Sequence, residues 1–213
     1  MQFDILTIFP EMFASYLNES IIKRARKNKI IKINFHNIRD FATDKHKTVD
    51  DRPYGGGPGM VMKIEPLYRC LKSIKKKRQS KTYLLSAPGI FFNQQTAAKL
   101  SHLSQVTLIC GRYEGVDARI KKYIDGEISV GPYVLTGGEL PALTVIDAVT
   151  RLLPGVLGDN QSSKDESFTT SKKFKEHPHY TRPEKFNSQS VPKTLLSGNH
   201  SKIAAWRKKM SKS

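Results

Sequence analysis

The sequence predicts an α/β fold: a mostly parallel sheet with helices on both faces, followed by a small, mainly helical C-terminal unit. Three observations carry this. Short β-branched runs alternate with helix-like segments through about the first 155 residues, the pattern of strand–helix–strand units. Glycine-containing loops follow each of the last three strand candidates, where sheets of this kind place their ligands. From residue 159 the chain turns polar and basic, as linkers and small appended units do.

Taken in order, FDILTIF (3–9) and IIKINFHNI (30–38) read as strands, because branched and aromatic side chains fit a pleated, half-buried surface. Residues 11–27 between them read as a helix. The segment DDRPYGGGPGM (50–60) has four glycines and two prolines, so it is neither a helix nor a central strand. A helix is expected over 65–77, then the strand TYLLSA (82–87), a helix over 94–103, the strand VTLIC (106–110), a helix over 116–123 and the strand EISVG (127–131). The last helix of this part, 140–153, has an apolar stripe at helical spacing through Ala142, Val145/Ile146, Val149 and Leu152/Leu153. Thr144, Asp147 and Arg151 share its polar edge. Asp147 and Arg151 are either an i, i+4 surface pair or a pair of which Arg151 faces a substrate; spacing does not choose. Pro154-Gly155 ends the helix.

Residues 159–175 read as a flexible linker and 176–213 as a small basic unit with one helix near its end. The formal net charge is +17, which calls for a polyanionic partner. The excess is densest at the end: residues 161–213 carry twelve Lys/Arg against four Asp/Glu. Cys70 and Cys110 lie among apolar neighbours and are too few for a disulfide framework, so both are expected as core thiols in a reducing compartment. The N-terminus has no basic n-region and no cleavage site, and the most apolar stretch, 140–157, contains Asp147, Arg151 and two prolines. Neither a signal peptide nor a membrane span is expected, and the chain reads as cytoplasmic. The six histidines have no ligand spacing, so no metal site is expected.

The loops themselves are SAPG (86–89), CGRYEG (110–115) and GPYVLTGGELP (131–141). No phosphate-binding glycine motif is present. Three such loops at one sheet edge instead suggest a pocket in which bare backbone approaches a flat ligand and reads it by main-chain hydrogen bonds.

With DDRPYGGGPGM, CGRYEG, GPYVLTGGELPAL, RLLPGVLG (151–158) and the C-terminal PHYTRP and LLSGNH in place, the chain resembles the bacterial tRNA (guanine-N1)-methyltransferases of the SPOUT superfamily, nearly from end to end. The resemblance implies a deep trefoil knot in the carboxyl half of the sheet, S-adenosylmethionine bound within residues 1–158, and a homodimer with active sites between subunits. It implies methyl transfer to N1 of the guanosine at position 37 of tRNA, with the anticodon stem-loop as partner. Alternatives are a non-catalytic RNA-binding protein and a related methyltransferase acting on another RNA position.

Carried onto this sequence, the cofactor would meet Leu84, Ser86 and Gly89; Gly111, Arg112, Tyr113 and Glu114; and Val130, Gly131, Pro132, Tyr133, Val134 and Leu135, with Gly137 and Gly138 providing clearance. Asp50, Arg52, Gly57 and Gly59 would belong to a loop closing over the site, and His179, Tyr180 and Arg182 would help hold tRNA. Arg151 would face the developing charge. The base lies in the linker, where the family has aspartate directly before SF; this chain reads KDESF. An ungapped count from Arg151 puts Glu166 at the base position, with Asp165 one residue early. The family also continues with further helices past Trp206, so a reduced C-terminal unit is expected, its basic tail contributing phosphate contacts.

Overall fold

A computed structural model describes residues 1–158, 166–169, 171 and 173–211. They divide into two compact units, Met1–Leu157 and Gly158–Ser213.

Five strands of the first unit form one sheet: β1 (Gln2–Thr7), β2 (Lys32–Asn37), β5 (Ser80–Phe91), β6 (Gln105–Cys110) and β7 (Gly126–Ser129), in the order β2-β1-β6-β5-β7. Every pairing is parallel. The middle strand, β6, is buried along its whole length, as a strand covered on both faces must be. A two-residue ladder, β3 (Asp50–Asp51) with β4 (Val61–Met62), closes the glycine-rich segment as a small hairpin.

The helices are α1 (Ala14–Leu17), α2 (Ser20–Lys27), α3 (Ile64–Ser73), α4 (Gln94–Ser101) and α5 (Glu139–Thr150). Side-chain alternation along the strands splits the core in two. Phe3 and Ile5 join Phe13, Leu17, Ile22, Ala25, Ala142, Val145 and Val149 on one face. Leu6 and Ile109 join Leu67, Cys70, Leu71 and Ile120 on the other. Both cysteine thiols are buried and free.

Three elements differ from their expected form. Residues 11–27 are a 3-10 turn (Pro10–Phe13) and two short helices, broken where Ser20 takes a left-handed φ of 49°. The break lets Phe13 and Leu17 before it, and Ile22 and Ala25 after it, all reach the same core. Residues Ala118–Tyr123 form a 3-10 helix, not an α-helix. The chain before them is drawn out, Val116 bridging to Met62, and Asp117 caps the turn by accepting from the Arg119 amide at 2.9 Å. Strand β5 runs on to Phe91 through an irregularity between Leu85 and Ile90. A Cβ on Gly89 there would stand 2.7 Å from the backbone of Glu127 and Ile128, so only glycine lets the strands pass this closely.

The second unit holds a two-stranded hairpin, β8 (Lys185–Phe186) and β9 (Gln189–Ser190), then α6 (Lys193–Leu196) and α7 (His200–Met210). Asn187 supplies the positive φ of the turn, 52°, and the Asn199 side chain caps α7 by accepting from the Lys202 amide at 3.0 Å. Trp206 packs edge-on against His177 and Tyr180. Among its described residues none is fully buried. No described helix is long and apolar enough to cross a membrane.

Asp4 is a buried carboxylate in the sheet, 1% exposed. Burial works to raise its pKa, but hydrogen bonds from His36, Gln105, Asn34 and Gln2, all within 2.9 Å, hold it down at about 2. A carboxylate whose folded pKa lies below its ordinary 3.8 contributes stability that is complete above about pH 4 and fades as pH falls through about 2. Asp4→Asn is therefore expected to cost about 2 kcal/mol at neutral pH. Denaturant titrations of both proteins should show that gap closing at about pH 2; a gap that persists there would assign the loss to packing.

Candidate functional site

At the carboxyl edge of the sheet the loops after β5, β6 and β7 converge on a cavity of about 380 Å³, within the size range of small-molecule sites. Leu84, Ser86, Gly111, Arg112, Tyr113, Glu114, Val130, Gly131, Tyr133, Val134, Leu135, Gly137 and Gly138 all line it. Gly89 and Pro132 do not. Gly89 lies instead where β5 passes β7. The amides of Tyr133, Val134 and Leu135 donate to no other backbone group among the described residues, which leaves them for solvent or a ligand.

Two of the glycines have a packing role that the sequence did not suggest. Space beside Gly137 and Gly138 is taken by protein. A Cβ on Gly138 would stand 2.6 Å from the Cys110 Cα, and one on Gly137 would stand 2.3 Å from the Arg112 Nε. The Gly138 amide instead donates to the Gly111 carbonyl at 2.9 Å. These residues let loop pack on loop, and the cavity is what remains between them.

Charge locks the same contact. Glu139, at the start of α5, is 1% exposed; its carboxylate accepts from Arg112 Nε at 2.9 Å and from the Thr7 hydroxyl at 2.7 Å. The Arg112 guanidinium also lies over the Phe9 ring, 4.8 Å from its centroid, and reaches the Thr136 carbonyl at 3.3 Å. Arg112 is thus a clamp between β1, the second loop and α5. On the opposite wall, Glu127 accepts from the Ser86 hydroxyl at 2.9 Å and pairs with Lys121 at 2.7 Å. Burial would raise its pKa, and these partners more than reverse that.

The glycine-rich hairpin is sewn to the second loop. The Glu114 amide donates to the Met60 carbonyl, the Met62 amide to the Gly115 carbonyl and the Asp117 amide to the Met62 carbonyl, all within 3.0 Å. Asp50 meets Tyr113, whose phenol pKa is raised by burial and then by that carboxylate. Gly59 sits against the Glu114 side chain. Beyond this base the hairpin is bare: Gly57 has nothing within 4 Å of a would-be Cβ, Arg52 is exposed, and Tyr54 is fully so.

A second hollow adjoins the cavity. Val130, Tyr133, Leu135 and Pro141 line both, and the second is completed by Tyr16, Thr144, Asp147 and Arg151. The Tyr16 hydroxyl donates a short hydrogen bond to Asp147. That bond, helped by burial, pushes the Tyr16 pKa up to about 12. Arg151 therefore stands at the end of α5 on the wall of a hollow that shares a side with the loop cavity.

The remaining expected residues belong to the second unit. Glu166 accepts from the Thr169 amide and hydroxyl through its carbonyl, at 3.2 and 2.6 Å. His179 Nε2 lies 3.1 Å from Glu176, Tyr180 packs on Trp206, and Arg182 is exposed. Asp165 lies outside the described residues.

A family model described as tRNA (Guanine-1)-methyltransferase TrmD matches residues 1–213. The chain belongs to this family. Among curated relatives, tRNA (guanine-N(1)-)-methyltransferases of Carboxydothermus hydrogenoformans and Caldanaerobacter subterraneus are 55% and 53% identical to it. Each alignment covers 99% of this chain, and 83% and 87% of the relative respectively. The enzyme of Dictyoglomus turgidum is 53% identical over 98% of the chain and 84% of its own length.

Sequence reasoning missed Tyr16, Glu139, Thr7, Glu127 and Lys121. Tyr16 and Thr7 leave no local signal, being brought to α5 from 132 or so residues away. Glu139 was visible inside GGELP but reads there as an ordinary first-turn acid. Gly138→Ala is expected to cost about 1–3 kcal/mol or more, because backbone must move to admit a methyl group. Gly158→Ala, with open space around it, should stay within about 0.5 kcal/mol. Thermal melts of the two variants check this; equal losses would refute the loop-on-loop packing as the reason for glycine.

Proposed function

We propose that the chain is a tRNA (guanine-N1)-methyltransferase that takes its methyl group from S-adenosylmethionine and places it on N1 of the guanosine at position 37, beside the anticodon. The observation that carries this reading is the shared wall: a cavity fit for a small flat ligand opens beside a hollow edged by Arg151.

The residues present suit the cofactor. Main-chain amides at 133–135 can hydrogen-bond an adenine edge, the apolar sides of Leu84, Val130 and Leu135 cover its faces, and the Glu114 carboxylate on the wall favours a cationic ligand. S-adenosylmethionine supplies an electrophilic methyl group when bound there. The rest of the chemistry belongs to the chain. N1 of neutral guanine carries a proton and attacks poorly; a carboxylate base must take that proton while charge develops toward O6. Arg151 is placed to neutralise that charge. Glu166, or Asp165 beside it, is the base that takes the N1 proton. Asp50 holds the hairpin base against Tyr113, leaving Arg52, Gly57 and Gly59 to face RNA. His179, Tyr180 and Arg182, all on the second unit, make further contacts with the tRNA.

Two further features of the family find support. The sheet order runs β6-β5-β7, yet the chain leaving β7 reaches back past β5 to bond Gly111 through Gly138; such a crossing is what a knot in this half requires. On the second hollow Leu140, Tyr133 and Tyr16 are 56, 56 and 45% exposed, and Val134, on the adjoining cavity, is 88% exposed. An apolar face of this kind fits burial by a second copy, which would bring a partner's residues over the cleft. We place the chain in the cytoplasm, where its bacterial relatives' tRNA substrate is found.

Labelled methyl transfer to tRNA transcripts tests the reading. Label should enter a transcript with guanosine at position 37 and not one with adenosine there; transfer to both would point to another target. Arg151→Ala should lower kcat by about a hundredfold or more with the S-adenosylmethionine Kd nearly unchanged. Glu166→Ala should do the same and Asp165→Ala should not; the reverse result would move the base to Asp165. Leu140→Asp should convert a dimer into monomers in sedimentation, and an unchanged mass would remove this face from the interface.

A further inference from the structure

We infer that the amino edge of the sheet, opposite the cleft, is a second contact surface for the backbone of the RNA substrate. The inference rests on the tRNA reading above and adds a binding surface to it.

Basic residues gather where the strands begin. Lys32 opens β2, residues 75–78 (KKKR) and Lys81 lead into β5, and Lys122 precedes β7. Charge runs of this sort are ordinarily solvated and loose. This one is pinned. The Gln79 carbonyl accepts from the amides of Ser104 and Gln105 at 2.9 and 3.2 Å. The Gln105 side chain, wholly buried, accepts from the Lys77 amide at 2.7 Å and donates to the Lys75 carbonyl at 3.3 Å. Its remaining N–H goes to Asp4 at 2.8 Å. The Asp4 network thus reaches out to hold the basic loop on the sheet.

The charges on that loop are only partly compensated: Asp125, on the wall of the neighbouring hollow, is near enough to feel Lys76 but bonds to Lys81. Lys81 has Asp125 at 2.7 Å and Lys121 has Glu127 at 2.7 Å. Among the described residues, no carboxylate lies within 4 Å of Lys72, Lys75, Lys76, Lys77, Arg78 or Lys122. The like charges are felt: the amino group of Met1, beside β2, has its pKa lowered by burial and then by Lys77. Holding cations together this way costs stability in the free protein, and a polyanion offsets it.

The same edge carries an aromatic hollow of about 630 Å³. Tyr68 and Tyr123 meet there with ring centroids 4.6 Å apart, Lys72 stands 5.8 Å from the Tyr68 ring, and Lys76 and Lys122 line the rim. Tyr123 is 46% exposed and offers a face on which an unpaired base can stack while the lysines take its phosphates. A lipid surface would need apolar side chains among the cations, and most of the exposed ones, Val134, Leu140 and Tyr133 among them, stand at the other edge. Six-residue strands separate the two edges by about 20 Å, so RNA seated in the cleft meets this surface with a part distant from the methylated base.

The test uses the full chain with Lys75, Lys76, Lys77 and Arg78 all changed to Gln. A control variant carries the same loss of charge on α2 and α4: K23Q, R24Q, K27Q and K99Q. For full-length tRNA at about 0.15 M salt, KM in the first variant should rise at least tenfold with kcat unchanged. Its slope of log affinity against log salt should fall by up to about 3–3.5, at roughly 0.7–0.9 for each of four phosphates no longer neutralised. An isolated anticodon stem-loop should show no such change, nor should the control variant show more than a threefold one. Equal losses on both RNAs, equal losses in both variants, or no loss would each overturn the inference. Weakened binding to phosphatidylserine vesicles with tRNA affinity intact would overturn it in favour of a membrane partner. Filter retention of tRNA reads this surface without catalysis, so a wild-type chain that binds tRNA but transfers no methyl group defeats the proposed function alone.

Discussion

The first unit depends on one contact: the Gly138 amide against the Gly111 carbonyl, braced by the Arg112–Glu139 pair. It brings the loops after β6 and β7 together although β5 separates those strands in the sheet. A buried pair of this kind is expensive to break, about 3–5 kcal/mol when one partner is removed. Here both oxygens of Glu139 are used, one by Arg112 and one by Thr7. The first strand, the second glycine loop and the start of α5 therefore move as one body, and the cavity between them keeps its shape.

Placement of the polar groups follows from that rigidity. With α5 fixed at its start, Asp147 and Arg151 are carried to the far side of the wall formed by Val130, Tyr133, Leu135 and Pro141. Tyr16 holds Asp147 from α1. The glycine-rich hairpin, tied at its base by Met60, Met62 and Asp50, leaves its tip uncovered. A site with a stiff floor and a bare loop above it suits a reaction in which a large substrate must enter before the reacting groups close around it.

Charge and core are divided unevenly between the units. The first buries two apolar clusters and the whole length of its middle strand, β6. The second has twelve or so basic groups near it in sequence and no fully buried described residue. A unit that buries so little apolar surface has little to set against chain entropy, and aromatic contacts around Trp206 are what its described residues supply.

The five strands, the parallel sheet and the edge where the glycine loops gather were legible because burial on two faces writes itself into a sequence as short branched runs, and VTLIC is the clearest case. Local cues also marked most helices within a few residues. They did not mark the break at Ser20 or the 3-10 form of Ala118–Tyr123, since the core on one side and the Val116 bridge on the other overrode local preference. Within the site, the glycine loops were visible but their purpose was not. That Gly137 and Gly138 also make room for the Arg112 side chain and the Cys110 backbone depends on what lies opposite them, and no spacing along the chain encodes it. Partners such as Thr7 for Glu139 or Tyr16 for Asp147 are of the same kind. Residue types determined which chemistry was possible here; only folding, by bringing distant segments within hydrogen-bond reach, decided which groups hold the cleft and which are left to act in it.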